Sequence, residues 1–132
     1  MTMAGLESRR VNVPSTVMTV ASVRAELAAW LADSGVRQAV IDDAVVIISE
    51  LVTNAVRHSG ALPNASIRVE WQLKPGWLRL QVADDGQRRP QDLNAQSPVG
   101  GRGLAIVSAL ADSWWLERDG DGTTVTAIVA VS

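Results

Sequence analysis

The spacing of apolar residues changes several times along the chain, and each change marks an element. Between Val36 and Arg57 apolar side chains recur three and four apart, at Val40, Ala44, Ile47, Ile48, Leu51, Val52 and Ala55. That spacing predicts a helix that is apolar on most sides and therefore largely buried. The stretch before it, "STVMTVASVRAELAAWLADSG", carries Ala, Leu and Trp at helical spacing and ends at Gly35, placed as a C-cap. Arg9–Ser15, "RRVNVPS", reads as a short first strand.

Beyond the second helix the period drops to two. Ile67, Val69, Trp71 and Leu73 point one way, and Ser66, Arg68, Glu70 and Gln72 the other, which predicts a strand with one wet face. "KPGW" predicts a tight turn, with Pro75 presetting φ and Gly76 supplying a positive one. Leu78, Leu80 and Val82 form the returning strand, which ends at "ADDG". From Gly86 to Gly101 no period is visible, and a stretch of that length inside a compact domain is often a functional lid. "GRGLAIVSALAD" then predicts a short helix entered through glycines, and "SWWLERD" with "TTVTAIVAV" a closing hairpin around Gly120 and Gly122. The order β-α-α-β-β-lid-α-β-β predicts an α/β two-layer sandwich: a mostly antiparallel, mixed sheet of about five strands on three helices.

The chain of 132 residues fits one domain spanning 1–132, with 1–8 expected as a flexible N-terminus and 86–101 as the lid. Its net charge of −2 and the lack of a Lys/Arg stripe argue against direct nucleic-acid binding. The absence of cysteine excludes disulfides, Cys-based zinc sites and thiol catalysis. The apolar run Ala44–Ile48 is far too short to span a membrane, and "MTMAGLESRR" has no signal core, so a soluble cytoplasmic protein is expected. His58 is the single histidine, so a His-rich metal site cannot be built. Trp30, Trp71 and Trp77 are expected in the core or on the sheet, while the adjacent Trp114 and Trp115 must point to opposite faces of a strand.

One feature of the second helix leaves a structural and a functional reading open. At about 100° per residue, Asn54 falls about 40° from Glu50 and Arg57 about 20° to its other side, so all three share one face with Val46 and Ile47. That face is expected to be apolar where it packs on the sheet and polar where the helix ends. Either the helix emerges into water there, with Glu50 pairing Arg57 near the helix C-terminus, or the polar groups meet a ligand. Further along, "VADDG" ends a strand in an acid pair, and "GGRGLAIV" offers glycine amides and a helix N-terminus, a combination suited to anions. Each signal alone is common. Their order and spacing together are specific.

Together these segments resemble the GHKL ATP-binding domain (the Bergerat-type fold) of DNA gyrase, histidine kinases and MutL. More narrowly they resemble the small stand-alone anti-sigma factor serine kinases of actinobacteria. The resemblance runs from about Val11 to Val131: "SELVTNAVRHSG" matches the N box, "VADDGQRRP" the first glycine box, "GGRGLAIVSALAD" the second, and "GTTV" the closing element. It implies ATP and Mg²⁺ as ligands. By resemblance, Asn54 holds Mg²⁺ against the triphosphate, and Glu50, one turn earlier, acts as general base towards a serine hydroxyl. Asp84 accepts a hydrogen bond from the adenine amino group, and Gly86 lets the chain turn beside the base. Gly101 and Gly103 offer backbone amides to the phosphates, with Arg102 and Leu104 in the same box also at the nucleotide. Thr123 supports Asp84. Arg57 and His58 lie where some relatives place a basic phosphate contact.

One departure stands out. Where the first glycine box usually has a second glycine, this chain has Arg88. Either Arg88 reaches a phosphate, or the lid is looser and ATP binds more weakly. The resemblance implies a serine/threonine kinase that binds a sigma factor and phosphorylates an anti-sigma factor antagonist, with a homodimer formed through the sheet. The alternative is a partner-binding module without phosphotransfer. The catalytic half of a histidine kinase fits less well, because no dimerisation helix precedes the domain and the only histidine lies in the N box. Topoisomerase or chaperone activity would need a transducing domain for which there is no room.

Overall fold

Gly35 sits at φ +83, and around it the amide of Val36 reaches back to the carbonyl of Leu31 at 3.1 Å. This left-handed stop closes helix α1 (Val17–Asp33) and turns the chain into helix α2 (Gln38–Ser59), so the two helices run antiparallel. In this computed structural model the described residues are 7–59, 65–84, 102–119 and 122–131, without the side chains of 58, 59, 102, 103 and 119. Among them the order is β1 (Glu7–Pro14), α1, α2, β2 (Ser66–Lys74), β3 (Trp77–Asp84), α3 (Arg102–Leu110), β4 (Ser113–Asp119) and β5 (Gly122–Ala130).

The strands form one sheet in the order β1-β2-β3-β5-β4, with every neighbouring pair antiparallel. The sheet is therefore wholly antiparallel among the described residues rather than mixed. β1 also starts earlier than the apolar spacing predicts. Glu7 and Ser8 pair with Leu73 and Gln72, and the Ser34 hydroxyl donates to Glu7 Oε1 at 2.8 Å, so residues 7 and 8 belong to the sheet and not to the terminal segment.

The helices cover one face of the sheet. Ile67, Val69 and Trp71 of β2 pair with Asp84, Val82 and Leu80 of β3, and the apolar members of these pairs are buried beneath α1 and α2. Trp30 of α1 meets Trp71 edge to face, with ring centroids 6.2 Å apart. The opposite face carries polar rows: Arg10 Nη2 donates to Glu70 Oε1 at 3.4 Å, and Gln81 Nε2 to Thr126 Oγ1 at 3.0 Å. Trp77 lies on this outer face under the Lys74 ammonium, 5.4 Å from the ring centroid. As adjacency requires, the two tryptophans of β4 divide. Trp114 packs against the core and donates its Nε1–H to Ser108 Oγ at 2.6 Å, whereas Trp115 is 42% exposed on the outer face.

Candidate nucleotide site

The polar end of α2 resolves into three environments. Asn54 is 9% exposed, Glu50 is half-buried and Arg57 is exposed. The helical wheel accounts for this. The buried arc of α2 runs from about 40° to about 200° measured from Glu50, with Asn54 at its first edge and Ile47, Leu51, Ala44, Ala55, Ile48 and Val52 following. Val46 falls outside the arc and is 37% exposed, so it does not pack on the sheet as the shared face with Ile47 suggested. Nor does the helix simply run out into water, since its asparagine is covered. Among the described residues neither Glu50 nor Arg57 forms an ion pair, so the expected Glu50–Arg57 partnership is not made.

Asn54 opens onto a small cavity. Leu51, Asn54 and Ala55 of α2 form one wall, Val82 and Asp84 of β3 with Thr123 and Val125 of β5 the floor, and Leu104 of α3 and Leu116 of β4 the far side. The space is about 10 Å³, enough for about one water, so a purine has to part these walls to enter. Among the described residues the Asn54 amide nitrogen, buried there, has no hydrogen-bond partner, a costly arrangement unless something else supplies one.

Register places the acid of the site. Asp84 is the last residue of β3 and lies directly opposite Thr123, whose backbone N–H donates to Asp84 Oδ1 at 3.4 Å. Asp84 is 8% exposed and Thr123 4%, so the pair is buried at the cavity floor. The structure thus brings together Asn54, Asp84, Leu104 and Thr123, whereas Glu50, half-buried one helical turn before Asn54, is not among the residues that line the cavity. Arg102 and Gly103 open α3, whose first turn supplies Leu104 to the cavity. Gly86, Arg88, Gly101 and the expected lid lie outside the described residues, as does the His58 side chain. Leu116, Val125, Val82, Leu51 and Ala55 line the cavity without having been singled out as site residues. The available signal was the alternation in β4 and β5, which puts Leu116 and Val125 on the same face as Thr123.

The histidine kinase-like ATPase domain matches residues 13–129. The chain belongs to this family. Among solved structures, this histidine kinase-like ATPase domain is similar to the RsbU and RsbW domains of Rv1364c from Mycobacterium tuberculosis. They share 31% identity at a TM-score of 0.75, over 95% of this chain but 32% of that one. It also shares its fold with the histidine kinase domain of a blue-light activated histidine kinase from Erythrobacter litoralis EL346. That match has 20% identity and a TM-score of 0.55, over 89% of this chain and 61% of the other. An uncharacterized protein of Streptomyces coelicolor, SCO4941, is 33% identical over 81 residues, covering 59% of this chain and 76% of that protein. A histidine kinase-like ATPase domain implies ATP binding, and the match spans β3, β5 and α3, whose residues line the cavity. No described helix is long and apolar enough to cross a membrane.

Proposed function

We propose that the chain is a serine/threonine protein kinase that uses ATP and Mg²⁺ and regulates transcription by partner switching. In this reading it holds a sigma factor and phosphorylates the antagonist protein that competes for it. The observation that carries the reading is the buried Asn54, whose amide nitrogen is unpartnered among the described residues and suits a phosphate oxygen, set across a small cavity from the buried Asp84 with Glu50 one helical turn behind it. The likeness to a chain containing an RsbW domain supports the narrower assignment.

The residues fit the ligands chemically. Mg²⁺ commonly keeps its waters and takes few protein ligands, completing its shell with phosphate oxygens, so a single amide oxygen from Asn54 suffices. Among the described residues no cluster of His, Cys, Asp or Glu forms a cage of its own, in keeping with a site completed by substrate phosphates. Mg²⁺ there would neutralise charge between the terminal phosphates. Asp84 would accept a hydrogen bond from the adenine amino group in a largely apolar slot, where a charge-assisted bond is strong. Arg57, Arg102 and the backbone amides at Gly101 and Gly103 would meet the phosphates, and Gly86 would turn the chain beside the base. Glu50 would take the proton of the incoming serine hydroxyl as its oxygen attacks the γ-phosphorus. The bond to the bridging oxygen then breaks and ADP leaves.

The outer sheet face suits the homodimer. Arg10, Arg68 and Arg79 outnumber Glu70, which pairs with Arg10 and Arg79, on the β1–β3 half, and β4 carries Glu117 and the exposed Trp115, so a two-fold axis that laid one half on the other would set unlike net charges together. Arg88 favours a second reading, a nucleotide-gated binding module without phosphotransfer, because it replaces a glycine at the lid. Incubation with γ-labelled ATP and candidate antagonist proteins separates the two. Label on a serine or threonine of the partner establishes the kinase. A stable complex without label establishes the module.

A further inference from the structure

The row that holds Asp84 does not end at Thr123. Thr123 of β5 is paired on its other side with Arg118 of β4, so Asp84, Thr123 and Arg118 form one transverse line across three strands. The neighbouring row, Val82, Val125 and Leu116, faces the helices and lines the cavity. Period two then puts the whole Asp84 row on that same face. Along it the environment changes from a buried carboxylate to an exposed guanidinium at the sheet edge.

The same residue lies at the level where α3 begins. α3 runs from Arg102 to Leu110, the chain reverses through Ala111 and Asp112, and β4 runs back from Ser113. Nine helical residues rise about 14 Å, and the five steps from Ser113 to Arg118 about 17 Å, so Arg118 returns to the first turn of α3. The bond from Trp114 Nε1 to Ser108 Oγ ties the two elements, and Leu104 and Leu116 both line the cavity. Glu117 points to the opposite face of the sheet, and among the described residues Arg118 has no ion-pair partner. Strand spacing puts its backbone about 10 Å from that of Asp84, within the length of a nucleotide bound by its base at Asp84.

We infer that Arg118 is a polyphosphate-contacting residue of the nucleotide site, supplying a positive charge beside the first turn of α3. This rests on the nucleotide reading of the cavity and extends it to an edge strand outside the family's motif boxes. In the nucleotide reading Arg57, Arg102 and Mg²⁺ meet the polyanion from the α2 and α3 sides against two carboxylates, Glu50 and Asp84, and Arg118 adds a cation from the β4 side. A guanidinium at an exposed position contributes modestly, and its effect is screened by salt.

Calorimetric titration of wild type, Arg118→Ala and Arg118→Lys with adenosine, ADP and ATP tests this, at low and at high salt. Circular dichroism checks that the surface variants remain folded. Arg118→Ala is expected to weaken ATP about fivefold at low salt and to leave adenosine unchanged, the difference shrinking at high salt. Arg118→Lys is expected to restore most of the affinity. Equal losses for adenosine and ATP overturn the phosphate assignment, as does unchanged ATP affinity in Arg118→Ala while wild type binds. A wild-type chain that binds none of the three overturns the nucleotide site itself, and this inference with it.

Discussion

Asp84 and Thr123 are cross-strand partners whose contact runs through backbone: the Thr123 N–H donates to the Asp84 carboxylate at 3.4 Å. Any residue at 123 other than proline retains that donor, so the carboxylate is held by the sheet as much as by a chosen side chain. Asp84→Ala should weaken adenosine and ATP alike, by about tenfold or more, with little change in fold. Calorimetry with both ligands checks it. Equal affinity in the variant would remove Asp84 from the base contact.

Asn54 makes opposite demands on stability and function. Its buried amide nitrogen has no partner among the described residues, so an apolar replacement removes a desolvation cost. Asn54→Leu should raise the melting temperature, by an amount corresponding to roughly 1 kcal/mol. Asn54→Ala should abolish Mg²⁺-dependent nucleotide binding. Thermal denaturation with and without ATP·Mg²⁺ reads both effects. Undiminished magnesium dependence would sink the metal assignment.

Glu50 is half-buried and has no ion pair among the described residues, so its removal leaves no buried charge behind. Glu50→Ala is expected to keep ATP affinity within about twofold and to lose phosphotransfer by about a hundredfold or more. Single-turnover transfer to the antagonist protein measures the second quantity. Wild-type transfer would exclude Glu50 as the base.

Arg88 occupies a place where a glycine is usual. Arg88→Gly is expected to tighten ATP severalfold if the side chain restrains the lid. Titration of the variant decides, and weaker binding would identify Arg88 as a phosphate contact.

Most of the architecture was legible because the apolar period is clean. The alternation in Ile67–Leu73 and the glycine at 76, found at φ +88, place β2, its turn and β3 without ambiguity. The wheel put Glu50, Asn54 and Arg57 on one face but could not rank their burial. An amphipathic stripe gives a direction without giving its edge, and the edge falls between Asn54 and Glu50. For Leu116 and Arg118 the alternation in β4 gives a face of the strand but not a place at the site. Their part depends on β4 lying beside β5 in a particular register, a long-range fact that no local pattern encodes. The early start of β1 was hidden for a similar reason. Glu7 and Ser8 look like terminal polar residues until their pairing with β2 is known.

That last pairing bears on how the protein is made. β1 is an edge strand whose neighbour is β2, and Glu7 lies opposite Leu73. During synthesis the first strand therefore waits for a partner that lies between Ser66 and Leu73, for roughly several seconds at ordinary elongation rates. Throughout that delay its backbone donors and acceptors are open to any other extended segment. Glu7, Arg9 and Arg10, which add little to the finished core, put charge on that strand while it is most exposed to the wrong neighbour.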